Sequence, residues 1–246
     1  MTQSRLRWWR EVIYVLAFYG VYTLIRNRGI AGDAKDVAFR HAKQIVGWER
    51  ALGSYHEETI QDWFISHEWF ISLWNVFYGT AHFAVTVFAL VWLFRRDPDR
   101  YPLWRNTLAC ATALALFGYA FYPLMPPRLM PASYGFVDTL KEIGGLWSFD
   151  SGTMQKISNQ YAAMPSLHFC WSTWCALVLF PTTGRRWLKA LIAMYPVTTL
   201  FAIVVTANHF WLDAAGGALV LGCGYLIARA LTRVGRDTRS PASLRP

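Results

Sequence analysis

The chain has 246 residues, 54% of them hydrophobic, 17% aromatic and 16% charged, with a formal net charge of +9. Charged residues fall well below the roughly 25% of soluble domains, which excludes an ordinary soluble globular domain and points to an integral membrane protein. The positive charge does not make a nucleic-acid surface, because the basic residues lie between apolar runs and form no stripe with interleaved aromatics; nucleic acid is not an expected partner.

The chain opens with "MTQSRLRWWREVIYVLAFYG", a basic start followed by an apolar run. It lacks a small-residue cleavage site and reads as a retained first span. On the criterion of about 20 mostly apolar residues, six transmembrane helices are predicted: Val12–Ile25, Trp69–Phe94, Trp104–Leu124, Ser166–Phe180, Trp187–Thr206 and Phe210–Leu231. Between the first two lies a long loop, residues 26–68, whose apolar positions recur at near-helical spacing in "DVAFRHAKQIVGWERAL" and "TIQDWFISHEWFISLW". These stretches predict amphipathic interfacial helices, either a packing cap over the spans or one wall of a lipid access groove. His41, His56 and His67 in this loop are expected to be solvated. The expected architecture is all-α: a polytopic membrane bundle forming one catalytic domain over 1–234, with a disordered basic cytoplasmic tail over 235–246.

Basic residues orient the bundle. With a cytoplasmic N-terminus, 15 of the 24 lysines and arginines fall on inner segments, whose connections are short. Both termini are then cytoplasmic, and the loop 125–165 and the polar knot "ANHFWLD" share the opposite, extracytoplasmic face. Arginine outnumbers lysine 19 to 5, in keeping with a bacterial source and a plasma-membrane location. The four cysteines, Cys110, Cys170, Cys175 and Cys223, lie in apolar segments without a CxxC and read as small buried residues.

The polar residues at the span ends carry the chemistry. His209 and Asp213 are four residues apart, which on a helix places them on one face; a carboxylate beside an imidazole fixes its tautomer. Alone, the pair is equally a helix-packing hydrogen bond. His168 follows Pro165 and Ser166 at the start of the fourth span, where serine caps a helix and the N-terminal amides attract anions. Arg128, in "FYPLMPPRLMP", is the one arginine between Arg105 and Arg185, and its fork suits phosphate, or else a lipid headgroup. Asn75, Tyr78 and His82 share one helix face, either as interhelical glue or as a headgroup or acceptor site. Gly216 and Gly217 are expected to let helices approach closely.

"PSLH" followed by "NHFWLD" resembles the second and third motifs of the phosphatidic acid phosphatase type 2 superfamily, which has Pro-Ser-Gly-His and then His-x-x-x-Asp. Leu167 replaces the usual glycine. That variant, "MPPRL" and "NVFYGTAH" are similar to the inositol phosphorylceramide synthase branch, and the resemblance runs from about Trp69 to Gly217. The chain departs from many members in holding Ala202 and Ile203 where a Ser-Arg pair precedes the third-motif histidine.

The resemblance implies covalent catalysis on a lipid phosphate. His209, oriented by Asp213, attacks phosphorus; His168 protonates the leaving oxygen; Ser166, Arg128 and backbone amides stabilise the phosphoryl oxygens. The acceptor is water in a phosphatase, or an inositol-like polyol or lipid alcohol in a phosphotransferase. Membrane lipids are the expected partners, and the route needs neither a cofactor nor a metal. Two readings stand beside it: a transporter or non-catalytic lipid-binding protein, and a metal site of two histidines and one carboxylate.

Overall fold

Leucine, alanine, valine and aromatic residues without interrupting glycine–proline clusters favour long helices, and the computed structural model is all-helical across the residues it describes: 34–144 and 160–237, with 7–9, 11–14, 16 and 20 near the start. We label the longer helices α1 (Ala34–Leu52), α2 (Glu57–Ile65), α3 (Glu68–Arg96), α4 (Tyr101–Phe121), α5 (Leu167–Leu179), α6 (Arg186–Val205) and α7 (Trp211–Asp237). The first predicted span lies largely outside the described residues, as does the tail from 238 onward. Residues 235–237, expected in that tail, continue α7.

Among the described residues three helices are long and apolar enough to cross a membrane: α3, α6 and the part of α7 from Trp211 to Arg233. The protein is therefore membrane-embedded and helical, but the six predicted spans are not all reproduced. The fourth yields only the 13 residues of α5. The third forms α4, where Arg105 and Asn106 near the helix start dilute the hydropathy. Apolar side chains such as Phe83, Val87, Val91, Leu191, Met194, Val197 and Leu219 are exposed along α3, α6 and α7, as expected of a lipid-facing surface.

Short α5 is the hub: it packs against α3, α4, α6 and α7, while α7 runs along α4 in the most extensive pairing. The main core joins Ala89 and Leu93 of α3, Ala111, Ala115 and Tyr119 of α4, and Cys170, Trp174 and Val178 of α5. Small residues set the spacing. A Cβ on Gly224 would stand 2.7 Å from the Ala111 backbone nitrogen, and one on Gly217 would overlap the Ser166 carbonyl oxygen, so α7 lies directly on α4 and on the start of α5. Cys170 and Cys175 are buried as expected, but Cys110 is half-buried and Cys223 exposed, because their positions on α4 and α7 face away from this core.

The amphipathic segments form helices as predicted. α1 buries Ala38, Ala42, Ile45 and Val46 against Leu124, Met125, Phe136 and Phe210, and leaves Trp48 and Leu52 outside. His41 is not solvated. It stacks on Tyr122 with ring centroids 4.0 Å apart, and its Nδ1 lies 2.7 Å from the Pro123 carbonyl oxygen. His56 and His67 are exposed.

Candidate active site

Ser166 is the N-cap of α5. Its fully buried hydroxyl accepts from the Phe169 amide at 3.4 Å, and this places His168 in the first turn. The preceding Pro165 carbonyl accepts from the Tyr119 hydroxyl at 2.9 Å. The Ser166 amide donates to the Asp213 carbonyl at 2.8 Å, so one backbone bond ties the "PSLH" turn to "NHFWLD".

His209 arrives by a different device. α6 ends in a pair of reverse bonds, Ala207 N to Val204 O at 2.8 Å and Asn208 N to Ile203 O at 2.9 Å, the Schellman pattern. Glycine normally takes its left-handed position. Here Ala207 does so, at φ 52°, a conformation that costs an L-residue about 1–2 kcal/mol. The strained turn aims the next residues inward: Asn208, His209 and Phe210 are all buried. His209 thus precedes α7 rather than sharing a helical face with Asp213. Asp213, in the first turn of α7, reaches back; its Oδ2 accepts from the Phe210 amide at 3.0 Å and lies 3.2 Å from His209 Nδ1. This is the reciprocal bond of a capping box turned to a second purpose.

The hydrogen bonds assign the protons. An ionised Asp213 can only accept, so His209 Nδ1 carries hydrogen and its Nε2 keeps the lone pair. That Nε2 lies 3.3 Å from His168 Nδ1, which therefore donates. The structure brings together His168, His209 and Asp213 as the sequence predicts, with Ser166 holding the turn beneath them. Tyr78 stacks on His168, centroids 4.1 Å apart and 23° between planes, and the His82 ring meets His168 edge-on at 4.2 Å. His82 Nδ1 donates to the Tyr78 carbonyl at 2.9 Å, which fixes Nε2 as its basic atom. Between α3 and α6, His168 shares a tight crevice with Phe77, Tyr78, His82, Thr199, Ala202 and Ile203.

Arg128 sits beside the histidine turn. Its amide donates to Ala207 O at 2.8 Å, and its Nε to Asn208 Oδ1 at 3.1 Å. Nη1 donates to both oxygens of Asp138 at 3.1 and 3.0 Å. Asn75 is turned elsewhere: its amide donates to the carbonyls of Thr139 and Gly144, and Thr139 Oγ1 donates back to its oxygen, a brace between α3 and the loop after Asp138. Arg105 is taken up by Glu11, Nη1 to Oε2 at 2.6 Å. It is fourteen residues from Tyr119 on α4, about 21 Å along the axis.

Sequence reasoning missed Asp138 and Asn208, the partners of Arg128, and two fully buried glutamates, Glu49 and Glu57. Asn208 had a local signal, being the neighbour of His209. Asp138 and the glutamates had none, since their significance depends on partners distant in sequence. Among the described residues no group of three or more His, Cys, Asp or Glu side chains has the geometry to hold a metal ion.

The family model of the PAP2 superfamily matches residues 43–227. Comparison with curated proteins and with solved structures gives no match. The match runs from within α1 to within α7 and includes each residue of the histidine cluster, and the chain belongs to the PAP2 superfamily, a phosphatase family, which points to activity on lipid phosphates.

Proposed function

We propose that this PAP2 superfamily member is a lipid-phosphate phosphatase or phosphotransferase working through a phosphohistidine on His209, with the site on the extracytoplasmic face and both termini in the cytoplasm. The observation that carries the reading is the chain of contacts from Asp213 through His209 to His168. It leaves the lone pair of His209 Nε2 facing a proton on His168 Nδ1, so a nucleophile and an acid stand opposite one another.

Phosphorus enters between the two rings, which part to admit it. Nε2 of His209 attacks, the P–O bond to the lipid breaks, and its electron pair goes to the leaving oxygen, which takes the Nδ1 proton of His168 in its imidazolium form and leaves that ring neutral. In the second half, water or an alcohol attacks phosphorus and gives its proton to His168, and the P–N bond returns its pair to Nε2. Asp213 stabilises the charge on the imidazole throughout. Arg128, held by Asn208 next to His209, supports the phosphoryl oxygens. The apolar neighbours of His168, Phe77, Ala202 and Ile203, support a lipid substrate rather than a fully water-soluble one.

The finer reading is transfer to a polyol alcohol. It is supported by Leu167 in place of glycine, by "MPPRL", and by Tyr78 and His82, which pack directly on His168. The experiment is a screen of lipid phosphates with purified protein in detergent, with and without polyols, combined with trapping of the phospho-enzyme. Acid-labile phosphate on His209, and a new phospho-polyol product, are expected. Phosphate on His168 would reverse the two roles, and free phosphate as the sole product in the presence of polyols would leave a phosphatase.

A further inference from the structure

Every helix leaves its first amides without partners inside the helix, and at α7 those amides lie directly behind His209. Phe210 N is taken by Asp213. Trp211 N donates to Glu57 Oε1 at 3.2 Å, and Leu212 N to Glu49 Oε1 at 2.8 Å. The two glutamates come from α1 and α2, more than 150 residues away in the chain. Both are fully buried.

Two ionised carboxylates cannot hydrogen-bond to each other, and burying both would be prohibitive. Glu49 Oε2 has no hydrogen-bond donor among the described residues, and the two carboxyls are brought together on the adjacent amides of Trp211 and Leu212, with the His56 amide on Glu57 Oε2 at 3.0 Å. One proton on Glu49 resolves this, because Oε2–H can then donate to Glu57. We propose that Glu49 and Glu57 form a carboxyl pair sharing a single proton, which seals the first turn of α7 and positions Asp213 behind His209. These are positioning residues: they touch the backbone of residues 211 and 212 and act through Asp213.

The electrostatics agree. Burial first, then the hydrogen bond and negative charge of Glu57, and finally the charge of Asp213, push the Glu49 carboxyl far above its ordinary range; only the Leu212 amide opposes them. The groups bearing on the pair are thus Glu57 from α2 and Asp213 from α7. At its side, the Arg50 guanidinium lies over the Tyr55 ring, 4.9 Å from the centroid. A carboxyl with a raised folded pKa favours the folded state most below its unfolded value, and that advantage drains as pH rises through the folded value. Alkaline pH therefore removes the shared proton and leaves three carboxylates around one helix turn.

The role in turnover rests on the phosphohistidine reading, and the test separates the two. Full-length protein in detergent is compared with Glu49→Gln, a neutral isostere whose carbonyl accepts from Leu212 and whose NH2 donates to Glu57, and with Glu49→Ala. Turnover of a lipid phosphate is followed against pH. Glu49→Gln is expected to keep wild-type kcat at neutral pH and to lose the alkaline fall. Glu49→Ala, which removes a cap, is expected to lower kcat about tenfold with KM nearly unchanged. An alkaline fall that persists in Glu49→Gln, or an alanine variant as active as the glutamine one, overturns the positioning role. Infrared difference spectra give a readout without activity. Wild type is expected to show the carbonyl band of a protonated carboxylic acid at neutral pH that Glu49→Gln lacks. Its absence from folded wild type overturns the proton-sharing pair, whereas its presence in a protein that turns over no lipid phosphate overturns the proposed function alone.

Discussion

Replacing Asp213 by asparagine separates two tasks that this carboxylate performs with one atom. Oδ2 takes both the Phe210 amide and His209 Nδ1, while the buried Oδ1 has no hydrogen-bond partner among the described residues. An asparagine can place its carbonyl oxygen at the Oδ2 position and its NH2 at the empty one. Both donors stay satisfied and His209 keeps its tautomer. The reverse orientation would set NH2 against the Phe210 amide and is excluded. The unpaired NH2 costs about 1–3 kcal/mol at most, so the variant folds. What is lost is the charge. A carboxylate about 4 Å from a cationic imidazole at an effective dielectric of about 20 contributes about 4 kcal/mol, and a transition state carrying half the charge or more feels about 2–4 kcal/mol. The expected fall in kcat is about 30- to 900-fold. Asp213→Ala, which also frees the ring, is expected to fall further. The assay is steady-state turnover of a lipid phosphate in detergent, with thermal unfolding as the control. A variant retaining more than about a third of the wild-type rate refutes the electrostatic role. Complete loss in a folded variant, matching His209→Ala, refutes the placement of the amide.

Three further outcomes are expected. Arg128→Lys keeps the charge but loses the planar fork that meets Asn208 through Nε and Asp138 through Nη1, and turnover should fall about 10²–10³-fold; near-normal turnover would move the phosphate clamp elsewhere. His168→Ala should lose about 10²–10⁴-fold on an alkyl phosphate, and an aryl phosphate, whose leaving group needs no acid, should restore much of the rate in this variant but not in His209→Ala. A cysteine at exposed Ser133 should react with an impermeant thiol reagent in intact cells and one at Asp97 should not, since 29-residue α3 separates the two ends by about 43 Å; reversed labelling would invert the proposed topology.

The helices were legible wherever a local pattern decides them. Five of the predicted spans coincide with described helices, and Ser166 caps α5 as serine before a helical run should. The histidine–carboxylate contact was also legible, because it depends on residues four apart. Its geometry was not: the spacing suggested a helical face, whereas His209 lies outside α7 and is met by a carboxylate folding back. The reason is Ala207, a residue with no intrinsic preference for the left-handed conformation it adopts. Asn75 read as a site residue because it shares a helical face with Tyr78 and His82. One turn of distance carries it past the histidines to Thr139 and Gly144.

Residues 206–210 cost more than a continuous helix would, and the surrounding groups explain why they persist. Within a membrane protein, backbone that leaves a helix must find every hydrogen bond inside the protein. Here Ala207 O accepts from Arg128, Thr206 O faces the Thr139 hydroxyl and the Asn208 side-chain amide, the amides of Asn208 and His209 return to Ile203, and those of Trp211 and Leu212 go to the two glutamates. A straight helix through these positions would need none of these partners. It would also point His209 along the helix surface, not across it toward His168. The loop after α4, the α1–α2 pair and the cap of α5 thus serve one geometric end, which is to stabilise a break in the chain beside the histidines. Loss of any one partner strands a buried amide or carbonyl beside the histidines, at about 1–3 kcal/mol each. The same groups that close the fold therefore hold the two imidazoles nitrogen to nitrogen, 3.3 Å apart.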